Sequence, residues 1–281
     1  MVGVGEEFME NYFAVIGDPI AHSLSPLLHS AGYQSLGITA EYSRFRVTPS
    51  KLKEAVYGLR ALGFSGWNVT IPHKESIIPL LDELTPEAEN AGAVNTVKQL
   101  NGKLIGHNTD GNGFVLAIEN KFNFSDKKAV ILGAGGAARG IAFALKEKGM
   151  RIHILNRTLS RAQELASLIR LAGGEASSGE LLPGAWLKDV DLVVQTTPVG
   201  LYGENYPISL QGIKPKTLVV DIIYKPWETA FLREARKLGC QTINGLPMFL
   251  FQGVLAWEFW LGGKAPVEQM WAALVNEVQT K

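Results

Sequence analysis

Cysteine is nearly missing from this chain: Cys240 stands alone among 281 residues, so no internal disulfide can form. The five histidines and this cysteine show no zinc-ligand spacing, and no metal is expected. A surplus of charge is absent as well. The 27 basic side chains face 27 acidic ones, which argues against nucleic acid or an anionic membrane as the main partner. Long apolar runs are also lacking. The most apolar stretch, Met248 to Leu261, is broken by Gln252 and Glu258 and falls short of a bilayer span, so it reads as a core helix. The first ten residues hold Glu6, Glu7 and Glu10 without an apolar segment, unlike a secretory leader or an acid-poor transit peptide. No repeat or low-complexity tract stands out. These exclusions leave an ordinary globular protein of one or two domains, expected in the cytoplasm, with 46% apolar residues from which to build its cores.

What is present centres on residues 129–156. Ala129-Val130-Ile131-Leu132 is a short apolar, β-branched run leading into Gly133-Ala134-Gly135-Gly136-Ala137-Ala138, which opens a helical pattern. This strand, glycine turn and helix fit the G-x-G-x-x-A fingerprint of dinucleotide binding. Gly133 makes the tight turn, and Gly135 lets backbone N–H groups approach a pyrophosphate at the helix N-terminus. A second strand, Arg151 to Leu155, follows at βαβ distance and ends in Asn156-Arg157-Thr158 rather than in an acidic residue. An acidic side chain there would hold the ribose 2′-hydroxyl of NAD, whereas Arg157, with Arg161 one turn on, offers planar donors to a 2′-phosphate. The expected cofactor is therefore NADP.

Ahead of that turn, strands alternate with helices, which signals a mainly parallel sheet. Strands are expected over Tyr12 to Ile16, Ala40 to Val47 and Trp67 to Ile71, with helices from Ser25 to about Leu36 and from Pro49 to Leu62. Ser23-Leu24-Ser25-Pro26 carries two hydroxyls at a helix start, either a simple cap or a carboxylate cradle. Ligands in open α/β sheets gather at the carboxyl ends of strands, where Asn68, Thr70 and Lys74 fall. Asn101-Gly102 marks a hairpin between Ala93 to Val97 and Lys103 to Gly106. Asn95 and Asp110 lie at the ends of that hairpin. Asp110 reads as an N-cap of a helix from Gly113 to Lys121 or as the carboxylate of a lysine–carboxylate acid–base pair with Lys74. Past the glycine turn, a helix is expected from Leu159 to Leu171, then strands at Asp191 to Gln195, Val219 to Ile223 and Gln241 to Asn244, and a last helix from Pro266 to Val278. Gln252 is a polar amide in an apolar helix and needs a hydrogen-bond partner if buried.

Taken in order, Ser23-Leu-Ser25-Pro26, Asn68-Val-Thr70-Ile-Pro-His-Lys74, Gly92-Ala-Val-Asn95-Thr, Asn108-Thr-Asp110-Gly, the glycine turn, Asn156-Arg-Thr158 and Gln252-Gly253 resemble the shikimate dehydrogenase family over nearly the whole chain. The resemblance implies an α/β fold in two domains. Residues 1–109 and 246–281 would form a mainly parallel substrate domain, with the C-terminal helices returning to it, and residues 110–245 a Rossmann-type NADP-binding domain. It implies NADPH-dependent reduction of 3-dehydroshikimate to shikimate, within aromatic amino-acid biosynthesis, with Lys74 and Asp110 catalytic. Ser23 and Ser25 would hold the substrate carboxylate, and Asn68, Thr70, Asn95, Tyr224 and Gln252 its hydroxyls. Cofactor contacts would come from Gly133, Ala134, Gly135, Gly136, Ala137, Asn156, Arg157, Thr158, Arg161, Thr197, Ile222, Gly245 and Met248. The expected partner is this small molecule, with no nucleic acid or membrane, in a monomer or homodimer. Two alternatives are a quinate/shikimate dehydrogenase and a non-catalytic metabolite sensor on the same fold.

Overall fold

The computed structural model describes residues 11–203 and 205–279. The acidic start of the chain lies outside the described residues. Two six-stranded sheets follow one another along the chain. The first is built from β1 (Asn11–Gly17), β2 (Ala40–Arg46), β3 (Gly66–Val69), β4 (Glu83–Leu84), β5 (Thr96–Leu100) and β6 (Lys103–His107), with α1 (Ser25–Leu36), α2 (Leu52–Ala61) and α3 (Pro86–Ala91) between them. Its order is β2-β1-β3-β5-β6-β4. Pairing is parallel from β1 to both β2 and β3 and from β4 to β6, and antiparallel where the hairpin enters at β3–β5 and β5–β6. The Asn101-Gly102 turn carries positive φ at both residues, 51° and 77°, as a tight two-residue hairpin loop requires.

Helix α4 (Asp110–Ile118) leads to the second sheet: β7 (Lys128–Leu132), α5 (Gly136–Glu147), β8 (Arg151–Asn156), α6 (Leu159–Leu171), β9 (Ala176–Glu180), β10 (Leu192–Gln195), β11 (Leu218–Asp221), α7 (Ala230–Lys237) and β12 (Gln241–Ile243). Its order, β12-β11-β10-β7-β8-β9, is parallel throughout. The order reverses between β7 and β10, so the turn after β7 sits at the topological switch point where such sheets bind ligands. The buried runs of β7 and β10 have apolar residues on both faces, as a sheet covered on two sides demands.

The chain closes with α8 (Leu246–Leu261) and α9 (Val267–Gln279), and α8 packs on both halves. Its Leu246, Leu250, Val254 and Trp257 join Phe13, Leu28 and Tyr33 in one core, while Met248 belongs to the core that holds Phe114 and Ile131. The Trp260 indole N–H donates to the Val97 carbonyl at 2.9 Å, so burial leaves it paired. Burying a side chain of that size contributes on the order of 4–6 kcal/mol of gross transfer energy. Helix α4 is wedged between α5 and α8 by two glycines. A Cβ on Gly111 would collide with the Gly140 carbonyl of α5, and one on Gly113 would lie 2.9 Å from the Gln252 Cα of α8. No helix among the described residues is long and apolar enough to cross a membrane.

Several boundaries differ from those expected of the sequence. The third strand stops at Val69 rather than Ile71, and a turn follows that carries Lys74. Helix α4 starts at Asp110, three residues earlier than expected, with Thr109 as its N-cap. Strand β9, the short β4 and helices α3 and α7 were not expected. Residues 176–180, Ala-Ser-Ser-Gly-Glu, lack the apolar alternation of a strand. They pair with β8 as the outermost member of the sheet, where half-exposed polar residues are tolerated.

Candidate active site

The carboxyl ends of β1 and β3, the end of β6 and the start of β5 meet at one edge of the first sheet. This edge faces the glycine turn of the second sheet, where Lys74 packs on Gly136, and α4 lies alongside, against α5 and α8. The turn after β3 is fixed from behind by His73, whose buried Nε2 donates to the Val47 carbonyl at 2.6 Å. The next residue, Lys74, accepts the Val94 N–H at its own carbonyl, 2.7 Å away. Its ammonium is then paired with the Asp110 carboxylate, the two side chains being 13% and 5% exposed. A charge pair so withdrawn from water persists only with further hydrogen bonds. Asp110 has one: Asn95 Nδ2 donates to its second oxygen at 2.9 Å.

Asn95 organises the rest of this edge. Its amide also donates to Thr109 Oγ1 at 2.8 Å, and its carbonyl oxygen accepts the Thr109 N–H at 2.8 Å and the Thr96 hydroxyl at 3.0 Å. Asn68 donates to Thr96 Oγ1 and to the Asn95 carbonyl, and accepts the buried Tyr42 hydroxyl at 2.7 Å. A fixed polar floor results, with Thr70 half-buried at its rim. Ser25 does not cap α1: no side-chain cap bond exists, and its hydroxyl accepts one from Ser23 at 3.2 Å. Both hydroxyls stand at a helix start, where free N–H groups favour an anion.

From the second half, Tyr224 follows β11 and its ring lies 4.6 Å from Phe249 of α8. Burial pushes its hydroxyl up to about 12, opposed by the Leu24 N–H beside the two serines. Gln252 is half-buried, and its amide donates to the Phe249 carbonyl at 2.8 Å. The partner that a buried amide requires is thus supplied, on the donor side, by its own helix.

Gly133 has φ +117° and a Cβ there would strike Thr196 after β10, so this turn admits only glycine. Gly135 differs: it is exposed, and a Cβ on it would meet nothing within 4 Å. The backbone at the start of α5 is therefore open to a ligand, as a pyrophosphate cradle must be. Gly136 is closed from the other side by Lys74, whose Cβ lies 2.7 Å from the position of an added methyl. Ala134 is buried under the turn and Ala137 half-buried on the first turn of α5. At the end of β8, Asn156 donates to the Thr158 carbonyl at 2.9 Å, and Arg157 is exposed. Arg161 is engaged by Glu75 at 2.5 Å. Thr197 is held by Gln195, a buried amide whose Nε2 donates to the Thr197 and Val199 carbonyls at 2.8 and 2.9 Å. Ile222 and Gly245 are pressed together, since a Cβ on Gly245 would overlap the Ile222 carbonyl, and Met248 is buried one turn on.

Of the residues singled out in the sequence, Asn68, Asn95, Asp110 and Lys74 are linked by hydrogen bonds and Lys74 packs on Gly136, whereas Arg161 is tied to Glu75 and Arg157 and Thr158 stand exposed at the end of β8. Glu75, Arg139, Gln195 and Thr109 were not singled out but share in these contacts or hold Thr197. Gln195 did carry a signal, as a polar residue closing an otherwise apolar strand. Among the described residues no cluster of three or more His, Cys, Asp or Glu is placed to hold a metal.

A parallel doubly wound sheet with an open glycine turn at its switch point, abutting a buried lysine–carboxylate pair, is the architecture of a dinucleotide-dependent oxidoreductase. Three family models match in succession: the shikimate dehydrogenase substrate binding domain over residues 15–97, shikimate/quinate 5-dehydrogenase over 116–201, and the shikimate 5′-dehydrogenase C-terminal domain over 245–275. The chain is 59% identical to the shikimate dehydrogenase (NADP(+)) of Desulfitobacterium hafniense, covering 95% of this chain and 98% of that relative. A crystal structure of a shikimate dehydrogenase in complex with NADP+ superposes with a TM-score of 0.90 at 39% identity, covering 96% of each chain. The enzyme of Thermus thermophilus in complex with NADP(H) and shikimate gives 0.86 at 38% identity, covering 95% of this chain and 99% of that one. The chain belongs to the shikimate dehydrogenase family.

Proposed function

We propose that this protein is an NADP-dependent shikimate dehydrogenase, which reversibly reduces the C3 carbonyl of 3-dehydroshikimate to the hydroxyl of shikimate on the route to the aromatic amino acids. The observation that carries the proposal is the Lys74–Asp110 pair packed directly on Gly136, the residue that begins the helix of the cofactor turn. NADPH supplies the hydride when bound. The protein's own work is positioning and proton management. Lys74 donates a proton to the oxygen that becomes the C3 hydroxyl, and accepts it in the reverse direction. Asp110, held by Asn95, orients the lysine and accepts a hydrogen bond from the same hydroxyl region.

Ser23 and Ser25 bind the substrate carboxylate at the start of α1. Asn68, Thr70, Asn95, Tyr224 and Gln252 read the ring hydroxyls. The amides of residues 133–137 hold the pyrophosphate, and Asn156, Arg157, Thr158 and Arg161 the adenosine end with its 2′-phosphate. Thr197, Ile222, Gly245 and Met248 border the nicotinamide. In this reading residues 1–109 and 246–281 act as the substrate unit and 110–245 as the cofactor unit, in the cytoplasm. The test is the change in nicotinamide absorbance with shikimate or quinate, each with NADP or NAD. Turnover confined to shikimate with NADP is expected. Comparable turnover of quinate with NAD would overturn the specificity, and silence in all four mixtures would overturn the enzyme.

A further inference from the structure

Lys74 is seated by more than its own side chain. Glu75, the next residue, reaches helices of the other sheet. One carboxylate oxygen accepts Arg161 of α6 at 2.5 Å, and the other lies 3.6 Å from Nε of Arg139 on α5. Arg139 is also paired with Glu164 of α6, and its side chain is only 5% exposed. A guanidinium so far from water is held in place by its counter-charges, and removing one leaves a buried charge partly unpaired. Its other side is walled by the first half of the molecule, where a Cβ on Gly92 would lie 3.2 Å from Nη1. The residue next to Lys74 is therefore hydrogen-bonded to α6 and ion-paired at longer range with α5, and neither contact uses the ammonium itself.

We propose that Glu75, acting through Arg139 and Arg161, is a positioning residue that seats Lys74 against the start of α5. It touches neither substrate nor reacting atoms, and the inference rests on Lys74 being the proton carrier. The split of Arg139 between Glu75 and Glu164 supplies an internal control. Both carboxylates neutralise the same buried cation, but only Glu75 is joined to Lys74 by a peptide bond. A contact that merely stabilises the fold would respond to either substitution. A contact that places the lysine would respond to Glu75 alone.

The experiment compares Glu75→Gln, Glu164→Gln and Glu75→Asp in the full-length enzyme, with Lys74→Ala as reference, measuring kcat and KM for shikimate at saturating NADP, the solvent deuterium isotope effect on kcat, and Tm. Misplacement on the ångström scale costs up to about a hundredfold, so Glu75→Gln is expected to lower kcat roughly ten- to a hundredfold with little change in KM for shikimate. The isotope effect should rise as proton transfer becomes limiting. Glu164→Gln should keep near-normal kcat, and Glu75→Asp should recover part of the loss. Equal losses of kcat in Glu75→Gln and Glu164→Gln, tracking a common fall in Tm, would overturn the proposal in favour of a structural ion pair. Normal kcat in Glu75→Gln beside an inactive Lys74→Ala would overturn it while leaving the role of Lys74 intact. An active Lys74→Ala would overturn both.

Discussion

The adjacent glycines that open α5 carry opposite expectations, because different things stand over them. A Cβ on Gly136 would lie 2.7 Å from Lys74 Cβ and 3.0 Å from its Cδ, whereas ordinary contact begins near 3.4 Å. In Gly136→Ala the lysine must therefore retreat by about 0.7 Å. The clash is at the root of the side chain, so rotation about its outer bonds cannot absorb it, and the ammonium moves with the backbone. A displacement near 1 Å at a reacting group costs about a hundredfold, so kcat should fall by one to two orders of magnitude. Alanine favours the helix over glycine by up to about 1 kcal/mol, which offsets part of the steric strain, so the protein should stay folded. Gly135→Ala works the other way. Its backbone is extended, with φ −88° and ψ −176°, and nothing stands within 4 Å of the new methyl. The free protein is undisturbed, and the methyl meets only what binds there. About 1.4 kcal/mol of overpacking against the cofactor would raise the NADPH KM roughly tenfold with kcat at saturation retained. Initial rates over a grid of NADPH and substrate concentrations, with thermal melts, separate the two. Normal kcat in Gly136→Ala, or lost kcat with an unchanged NADPH KM in Gly135→Ala, would refute the reasoning.

Other expectations concern the cofactor's phosphate and two buried titrating groups. Arg157→Ala should weaken NADPH by about ten- to a hundredfold, the worth of a charged hydrogen bond, and NADH hardly at all, measured by KM; equal weakening of both would remove Arg157 from the 2′-phosphate. Asp221 is raised to about 6 by burial, against the opposing bonds from the Thr229 hydroxyl and the Ile223 N–H. The folded state therefore keeps a proton that the unfolded chain releases near 4. Its contribution is full below about pH 4 and is lost as pH rises toward 6, at about 1.4 kcal/mol per pH unit. Denaturant midpoints should show that Asp221→Asn lacks this fall, and an unchanged slope would contradict it. His29, stacked 4.5 Å from Tyr42, is lowered to about 3 by burial, with the Asn68 amide acting against the shift. Its contribution is present above about pH 6.5 and lost as pH falls toward 3, so His29→Phe should flatten the acid limb of stability; a variant as acid-sensitive as the wild type would count against it.

Local features of this fold were legible because they are written in adjacent residues. The strand–glycine–helix passage from Ala129 to Ala138, the Asn101-Gly102 hairpin and the apolar stripe of α8 each announce themselves in a short window. The candidate site was legible only as strand-end polar residues. That Lys74 meets Asp110, 36 positions away, depends on β5 and β6 being inserted beside β3. Boundaries slipped where tertiary contacts overrode local preference. Asp110 begins α4 because Asn108 accepts its N–H and Asn95 accepts that of Thr109, so the helix starts under a side-chain network rather than at the next good helix former. Arg139 gave no warning, since an arginine on the first turns of a surface-like helix reads as solvated until Glu75 and Glu164 are brought to it by the sheet order. Gln252 shows the converse, a polar residue conspicuous in its window whose donor is met by the Phe249 carbonyl of the same helix.

The most direct test of the account is the turnover of Lys74→Ala with shikimate and NADP, read beside its affinity for NADPH by cofactor fluorescence. A fall in kcat of about two to four orders of magnitude with NADPH binding retained is expected of the residue that moves the proton. Normal turnover would contradict the assignment of Lys74 and, with it, the role given to the Asp110 pair.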